Sequence, residues 1–361
     1  MRLTDEATGV SQGRTALRKA EHLQINLSAD VQAKGVTAGF ERYRLAHNAL
    51  PQLAFDDVDT GVEALGQRLG APLLISCMTG GAGTSGPINR TLALVAQEHR
   101  LAMGLGSMRV VLDDPTTIED FRVRGVAPDV LLLANVGAVQ LNYGVTAEDC
   151  RRLVEAVEAN ALVLHLNALQ EALQPEGDAD FRGLEERIGE VCAALPVPVI
   201  VKEVGWGISA DVARRLFAVG VAGVDVAGSG GTSWSEVERH RLRDEVAREA
   251  AAAFRGWGNP TAECVREVRA IAGDRLVIGS GGVRDPLDVA LALALGADLV
   301  GAARPFLLAA SESLAALDVL IRTWIAVLRL VMFSTGSRTP RELRRAGLRD
   351  LETTAELRPR G

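Results

Sequence analysis

Short apolar runs rich in Val, Leu, Ile and Ala recur along the chain, each ending in glycine or polar residues. They are Pro72–Met78, Ala102–Ser107, Val130–Val136, Leu162–Asn167, Val197–Val204, Gly223–Ala227, Leu276–Ser280 and Leu299–Ala302. Runs this short, apolar on both faces, predict strands buried in a parallel sheet. Between them lie amphipathic stretches such as Ile88–Glu98, Ala147–Ala159, Arg182–Ala194, Ser209–Val219, Ala262–Ala272 and Leu287–Leu295. Their apolar residues recur at three- and four-residue intervals, which predicts helices packed on one face. Strand and helix alternating through eight units is the pattern of an α/β protein of the (β/α)8 TIM-barrel type. A doubly wound sheet competes, but no GxGxxG opens the first strand–helix unit and eight units exceed its usual count.

Two ends fall outside the alternation. The expectation is a single domain over 1–361: an extension over 1–70 contributing to the substrate site, a barrel over 71–310, and C-terminal helices over 311–361. The extension carries a charged helix-like patch around Arg14–Leu27 and a glycine-containing loop near Gly35–Gly39. After Pro305 a helical stretch, Leu314–Met332, leads to Thr335-Gly336-Ser337 and an arginine-rich tail, Arg338–Arg360. That helix is free to cover the barrel bottom or a partner. The tail reads as a solvated helix face and not as an RNA-binding arm, because acidic residues alternate through it.

Composition narrows the class. The 361 residues are 48% hydrophobic and 24% charged, an ordinary globular balance. Thirty-seven glycines against thirteen prolines point to tight turns and backbone-level ligand contacts. Charges interrupt every apolar run before about 18 residues, so no membrane span is expected. Asp5 and Glu6 close behind Arg2 leave no apolar signal region. Cys77, Cys150, Cys192 and Cys264 form no CxxC pair, against a zinc module or a disulfide scaffold. A net charge of −7 argues against a nucleic-acid surface. A cytoplasmic enzyme is the expectation.

Polar residues gather at the C-terminal ends of the predicted strands, the face on which barrel active sites are built. In order they are Met78-Thr79-Gly80-Gly81, Ser107-Met108-Arg109, Asn135, His165 with Asn167 and Gln170-Glu171, Lys202-Glu203, Asp225, Ser280–Arg284 and Gly301-Ala302. Gly228-Ser229-Gly230-Gly231-Thr232 and Gly279–Gly282 would expose successive backbone N–H groups, as phosphate sites after late barrel strands do. Plain tight turns explain any single glycine pair. The set favours a phosphate-bearing cofactor such as FMN, without separating it from a sugar phosphate. Lys202 ends an apolar run and needs an anion there. A salt bridge to Glu203 or Asp225, a place beside a flavin ring, or a Schiff-base role all satisfy that need. His165 and Asn167 share a strand face, although a lone histidine can simply be core. Glu171, at a mouth expected to bind phosphates, is a candidate Mg2+ anchor. Arg18-Lys19, just before Glu21-His22, reads as a solvated face or, swung over the mouth, as cations for a diphosphate.

These residues resemble the type 2 isopentenyl-diphosphate isomerases, FMN-dependent (β/α)8 enzymes, over nearly the whole chain. The similarity runs through Arg18–His22, Met78–Gly81, Gly106–Arg109, His165–Glu171, Val201–Gly205, Asp225–Trp234 and Gly279–Arg284, ending at Thr335-Gly336. The HLNxxQE block together with DxxGxGGT is specific; the GSGG segment is shared by many flavin barrels. Ala227, Trp234 and the neighbourhood of Ser334 match less well and are not expected to carry chemistry. The resemblance implies that FMN is held by Met78, Thr79, Gly80, Ser107, Asn135, Lys202, Gly230, Gly231, Thr232, Gly281, Gly282, Arg284, Gly301 and Ala302. It implies that Arg18, Lys19, His22, Arg109, His165, Asn167 and Gln170 bind the substrate, that Glu171 binds Mg2+, and that Gln170, His165 and Lys202 serve catalysis. The implied reaction is a 1,3-allylic proton shift between isopentenyl and dimethylallyl diphosphate, with NADPH as reductant of the flavin. The family tends to form tetramers or octamers, so a homo-oligomer is implied as well. A 2-hydroxy-acid oxidase is the competing enzyme, but its catalytic histidine precedes the paired glycines, where this chain has Ser229. An inosine-monophosphate dehydrogenase needs a loop cysteine, absent from Gly228–Ser235. A non-catalytic phosphate-binding scaffold is the third reading.

Overall fold

The computed structural model describes residues 18–78, 80–81, 85–352 and 356–357. Its centre is a closed, all-parallel barrel. The strands are β1 (Leu73–Ile75), β2 (Ala102–Gly104), β3 (Leu131–Gly137), β4 (Ala161–Leu166), β5 (Val199–Glu203), β6 (Gly223–Asp225), β7 (Leu276–Ser280) and β8 (Leu299–Ala302). Each pairs with its sequence neighbour, and β8 closes on β1. All eight apolar runs therefore become strands. The six amphipathic stretches are helices, among them Ala147–Ala156, Leu184–Ala194, Thr261–Ala272 and Pro286–Leu295.

Alternation along the strands explains how one rim becomes polar. Leu131, Leu133, Ala161, Val163, Ile200 and Ile278 belong to a cluster that fills the barrel interior. Side chains two residues apart share a face, so the next inward positions are Asn135, His165, Lys202 and Ser280. The parallel register then sets these ends side by side: Gly137 pairs with His165, His165 with Lys202, Lys202 with Asp225, and Ser280 with Gly301. The alternate residues, such as Leu132, Leu162, Val201 and Val277, face outward into a larger cluster with Leu153, Val191, Leu216 and Val268 of the helices.

Two expectations for the ends change. The antiparallel pair Val62–Ala64 and Gln67–Leu69 contributes Ala64 and Leu69 to the interior cluster. This part of the extension, and not the long helix, packs on the barrel filling. The long helix Leu314–Thr335 joins the outer ring beside Ser85–Glu98, Pro286–Leu295 and Arg304–Glu312. The tail is not one solvated helix face either. After the short helix Pro340–Leu343 it forms a strand, Leu348–Asp350, antiparallel to Tyr43–Leu45. Its side chains alternate between faces, so Leu348 and Asp350 are buried while Arg349 is exposed. Arg42 draws Asp350 and Glu263 together, at 3.4 and 2.7 Å. The barrel departs from strict alternation after β2, where only Arg109–Asp113 and the 3-10 turn Pro115–Asp120 stand in place of a long helix. Among the described residues no helix is long and apolar enough to cross a membrane.

Candidate active site

A cavity of about 540 Å³ opens at the C-terminal rim of the barrel. Its size lies within the usual range for small-molecule sites. Arg18, Lys19, His22, Met78, Gly80, Ser107, Arg109, Asn135, His165, Asn167, Gln170, Glu171, Lys202, Gly231, Thr232, Gly281, Gly282, Arg284, Gly301 and Ala302 all line it. Of the expected site residues, Thr79 lies outside the described residues and Gly230 sits one layer behind the wall. The helical residues 18–28 bring Arg18, Lys19 and His22 over the mouth.

The late loops form a cradle in which backbone meets backbone. Gly281 has φ +98°, and a Cβ there would lie 2.1 Å from the Gly228 oxygen. At Gly231 a Cβ would meet the Gly282 nitrogen at 2.5 Å. Arg284 donates through Nη2 to the Gly230 oxygen at 2.8 Å, joining the two loops and giving Gly230 its indirect place. Helix Arg304–Glu312 starts beside them with no side-chain cap on Ala303, which also lines the cavity. An uncapped helix start and glycine backbone suit the phosphate of a nucleotide. Ser76, buried under Gly301, has its hydroxyl in the cavity wall without a partner among the described residues. These features fit FMN.

Lys202 closes the floor. Its Nζ lies 3.3 Å from Asp225 Oδ2 and donates to the Glu203 backbone oxygen at 2.9 Å. Of the two expected salt bridges only that to Asp225 forms. The Glu203 carboxylate instead accepts from four successive N–H groups, Val204 to Gly207, at 2.5 to 3.2 Å. Next to Lys202, His165 places Nδ1 2.8 Å from Asn135 Oδ1. Burial first, then the charges of Lys202, Lys19 and Arg18, hold the imidazole down at about 4, so it is neutral near pH 7.

The opposite wall is cationic, its side chains held by backbone oxygens, an amide and a carboxylate. Lys19 donates to the backbone oxygens of Gly80, at 2.8 Å, and Ser107. Burial, with Arg18 beside it, lowers its ammonium to about 7. Arg18 donates to Gln174 Oε1 at 3.0 Å and Arg109 to Asp178 Oδ2 at 2.6 Å. Glu171 accepts from Asn167 Nδ2 and from the Asp178 N–H, both at 2.7 Å. The Asn167 Oδ1 is buried without a partner among the described residues. Among the described residues no group of three or more His, Cys, Asp or Glu side chains could hold a metal. A lone carboxylate suits Mg2+ that takes most of its oxygens from a bound phosphate and water.

Several participants escaped the sequence reading. Glu238, buried in helix Trp234–Arg241, accepts from Gln170 at 2.9 Å and Gln174 at 2.6 Å. His22 Nε2 lies 2.9 Å from it and Arg241 donates to its other oxygen at 2.7 Å. Burial alone would raise its carboxyl, but His22, Gln170 and Arg241 bring it down to about 2. An acid inside an exposed-looking run, Glu236-Val237-Glu238-Arg239, gave no signal of that. Trp234, set aside from the sequence, lines the cavity and stands edge-on to His22, ring centroids 5.2 Å apart. Only the fold brings residues 22 and 234 together.

Comparisons with known proteins give the chain its relatives. An isopentenyl-diphosphate delta-isomerase of Synechococcus is 57% identical over 331 residues, 92% of this chain and 95% of the relative. One from Nostoc is 50% identical over 340 residues, 94% and 97% of the two chains. A family model described as FMN-dependent dehydrogenase matches residues 174–350. Among solved structures, a flavocytochrome b2 variant superposes with a TM-score of 0.65 at 20% identity, covering 94% of this chain and 85% of the other. A mandelate oxidase variant gives 0.64 at 19%, covering 94% and 97%. At such low identity these two speak for the barrel fold alone. The isomerase relatives match over more than nine-tenths of the chain, which fixes the assignment: the chain belongs to the type 2, FMN-dependent isopentenyl-diphosphate delta-isomerases.

Proposed function

We propose that this protein interconverts isopentenyl and dimethylallyl diphosphate by a 1,3-allylic proton shift, with reduced FMN and Mg2+, and so serves isoprenoid biosynthesis. The observation that carries the reading is a single cavity with two chemistries. One wall is a glycine cradle ending at Lys202; the other is a cationic mouth of Arg18, Lys19 and Arg109 beside the carboxylate Glu171.

Gly231, Thr232, Gly281, Gly282, Arg284, Gly301 and Ala302 would hold the flavin phosphate end, with Met78, Gly80, Ser107, Asn135 and Lys202 along the ring. When bound and reduced, FMN supplies an acid and base for moving the allylic proton. Lys202 adds a fixed positive charge that favours the anionic reduced form. Arg18, Lys19, Arg109, His165 and Asn167 would bind the diphosphate, and Glu171 would anchor its Mg2+. Neutral His165 suits this task as a hydrogen-bonding partner with little charge to desolvate. Gln170, held by Glu238, borders the room left for the hydrocarbon. Protonating an unactivated alkene develops cationic character, so water must be kept away; residues 18–28 over the mouth supply that cover. Binding energy from the remote diphosphate orients the small reacting part.

NADPH is the proposed reductant, and a homo-oligomer, tetramer or octamer, working in the cytoplasm is the proposed setting. No observation favours the 2-hydroxy-acid oxidase: Ser229, where its base would stand, is buried, its hydroxyl without a partner among the described residues. An anaerobic assay with photoreduced FMN, Mg2+ and isopentenyl diphosphate tests the function. Dimethylallyl diphosphate is expected; absence of product with the flavin bound and reduced overturns the proposal.

A further inference from the structure

Resting on the diphosphate reading, we infer that the short loop 174–178 is the device that aims the cationic mouth, with Asp178 as its principal positioning residue. One stretch of five residues holds both arginines of that wall, Arg18 and Arg109, and behind them Arg241. Gln174 accepts from Arg18 at 3.0 Å while donating to Glu238 at 2.6 Å. Glu176 pairs with Arg241 at 2.7 Å. Asp178 accepts from Arg109 at 2.6 Å and from Gln140 at 3.1 Å. The backbone N–H of Asp178 also donates to Glu171 Oε2 at 2.7 Å. The candidate metal carboxylate and the candidate diphosphate arginine are thus fixed by two atoms of one residue.

The loop is seated by close packing. A Cβ at Gly177 would lie 1.8 Å from the Glu171 backbone oxygen, so only glycine lets the chain double back over helix Ala168–Leu173. Asp178 is mostly buried, with 17% of its side chain exposed, and Arg109 has 27%. A half-buried arginine has many rotamers to lose, and a carboxylate partner already in place removes that cost from ligand binding. Arg109 uses Nη1 on Asp178. Its remaining N–H groups are the ones left for a phosphate oxygen, because a guanidinium offers five donors in a fixed fork. Asp178 makes no contact that its chemistry would need for the proton shift, so its effect is on substrate capture.

The test uses Asp178→Asn, which keeps shape and removes the charge, in the FMN-loaded enzyme. The KM for isopentenyl diphosphate is expected to rise about tenfold, the order lost with one charge-assisted hydrogen bond. Affinity for inorganic pyrophosphate with Mg2+, measured by calorimetry, is expected to fall in parallel. FMN affinity and the midpoint of thermal unfolding should stay near those of the parent, and Asp178→Glu should recover part of the loss. Unchanged KM and pyrophosphate affinity overturn the inference. Equal losses in kcat, FMN affinity and stability also overturn it, since they reveal a merely structural loop. If the parent protein itself neither binds magnesium pyrophosphate nor turns over, the functional reading fails first and takes this one with it.

Discussion

Lys19 carries a conflict that only an anion resolves. Its ammonium is buried against two carbonyl oxygens and lowered to about 7, whereas a diphosphate needs it charged. Affinity for magnesium pyrophosphate is therefore expected to weaken as pH rises above 7, by up to tenfold per unit until the pKa of the complex is passed. Lys19→Met should flatten that dependence, which calorimetry across pH 6 to 9 would read. Glu171 and Lys202 divide the labour differently. Glu171→Gln should reduce Mg2+-dependent turnover at least a hundredfold while the protein stays yellow, because the amide is a poor ligand for a hard cation. Loss of FMN instead would remove Glu171 from the metal role. Lys202→Ala should weaken reduced FMN more than oxidised FMN, and equal affinities in both states would refute the charge argument. Residues at this scale were legible where their type clashed with their surroundings. Lys202 after Val199-Ile200-Val201 is such a clash, and so is His165 between two leucines. Glu238 was not, because an acid on a charged helix looks solvated until the fold buries it.

Glycine loops and the tail illustrate the scale of elements. Gly281 combines positive φ with a backbone oxygen 2.1 Å from any Cβ, so Gly281→Ala cannot relax by moving a flexible side chain. The variant should lose FMN on gel filtration, seen as loss of visible absorbance. Gly144 provides the contrast: φ is +96° but nothing lies within 4 Å of a Cβ, so Gly144→Ala should cost only about 1 kcal/mol in a denaturant melt and retain FMN. Apolar periodicity located all eight strands because both faces of each are buried, which leaves a continuous signal. It failed at the tail. Three residues of period two in an arginine-rich run are too few to separate a strand from a helix, and the partner strand Tyr43–Leu45 lies some three hundred residues away.

At the scale of the whole molecule, two half-buried bases shape the response to pH. His165 is lowered to about 4 from 6.5 and Lys19 to about 7 from 10.5. In each window the unfolded chain holds more protons than the folded one. Their contributions to stability therefore grow as pH rises, between 4 and 6.5 for His165 and between 7 and 10.5 for Lys19. Unfolding of the ligand-free protein at several pH values, set against His165→Asn, should show a shallower rise between 4 and 6.5 in the variant.

The sequence alone determined the repeating strand–helix rhythm, the rim on which polar side chains collect and most of the residues that line its cavity. Those follow from local rules: period two along a strand, period 3.6 along a helix, and the cost of a charge after an apolar run. Tertiary structure alone decided which carboxylates hold the cations. Glu238 under His22 and Gln170 and Asp178 on Arg109 are long-range pairs set by barrel closure and loop packing, and for Lys202 the fold chose Asp225 over Glu203. Electrostatic partners are chosen by distance in space, and distance in space is what a linear pattern does not encode.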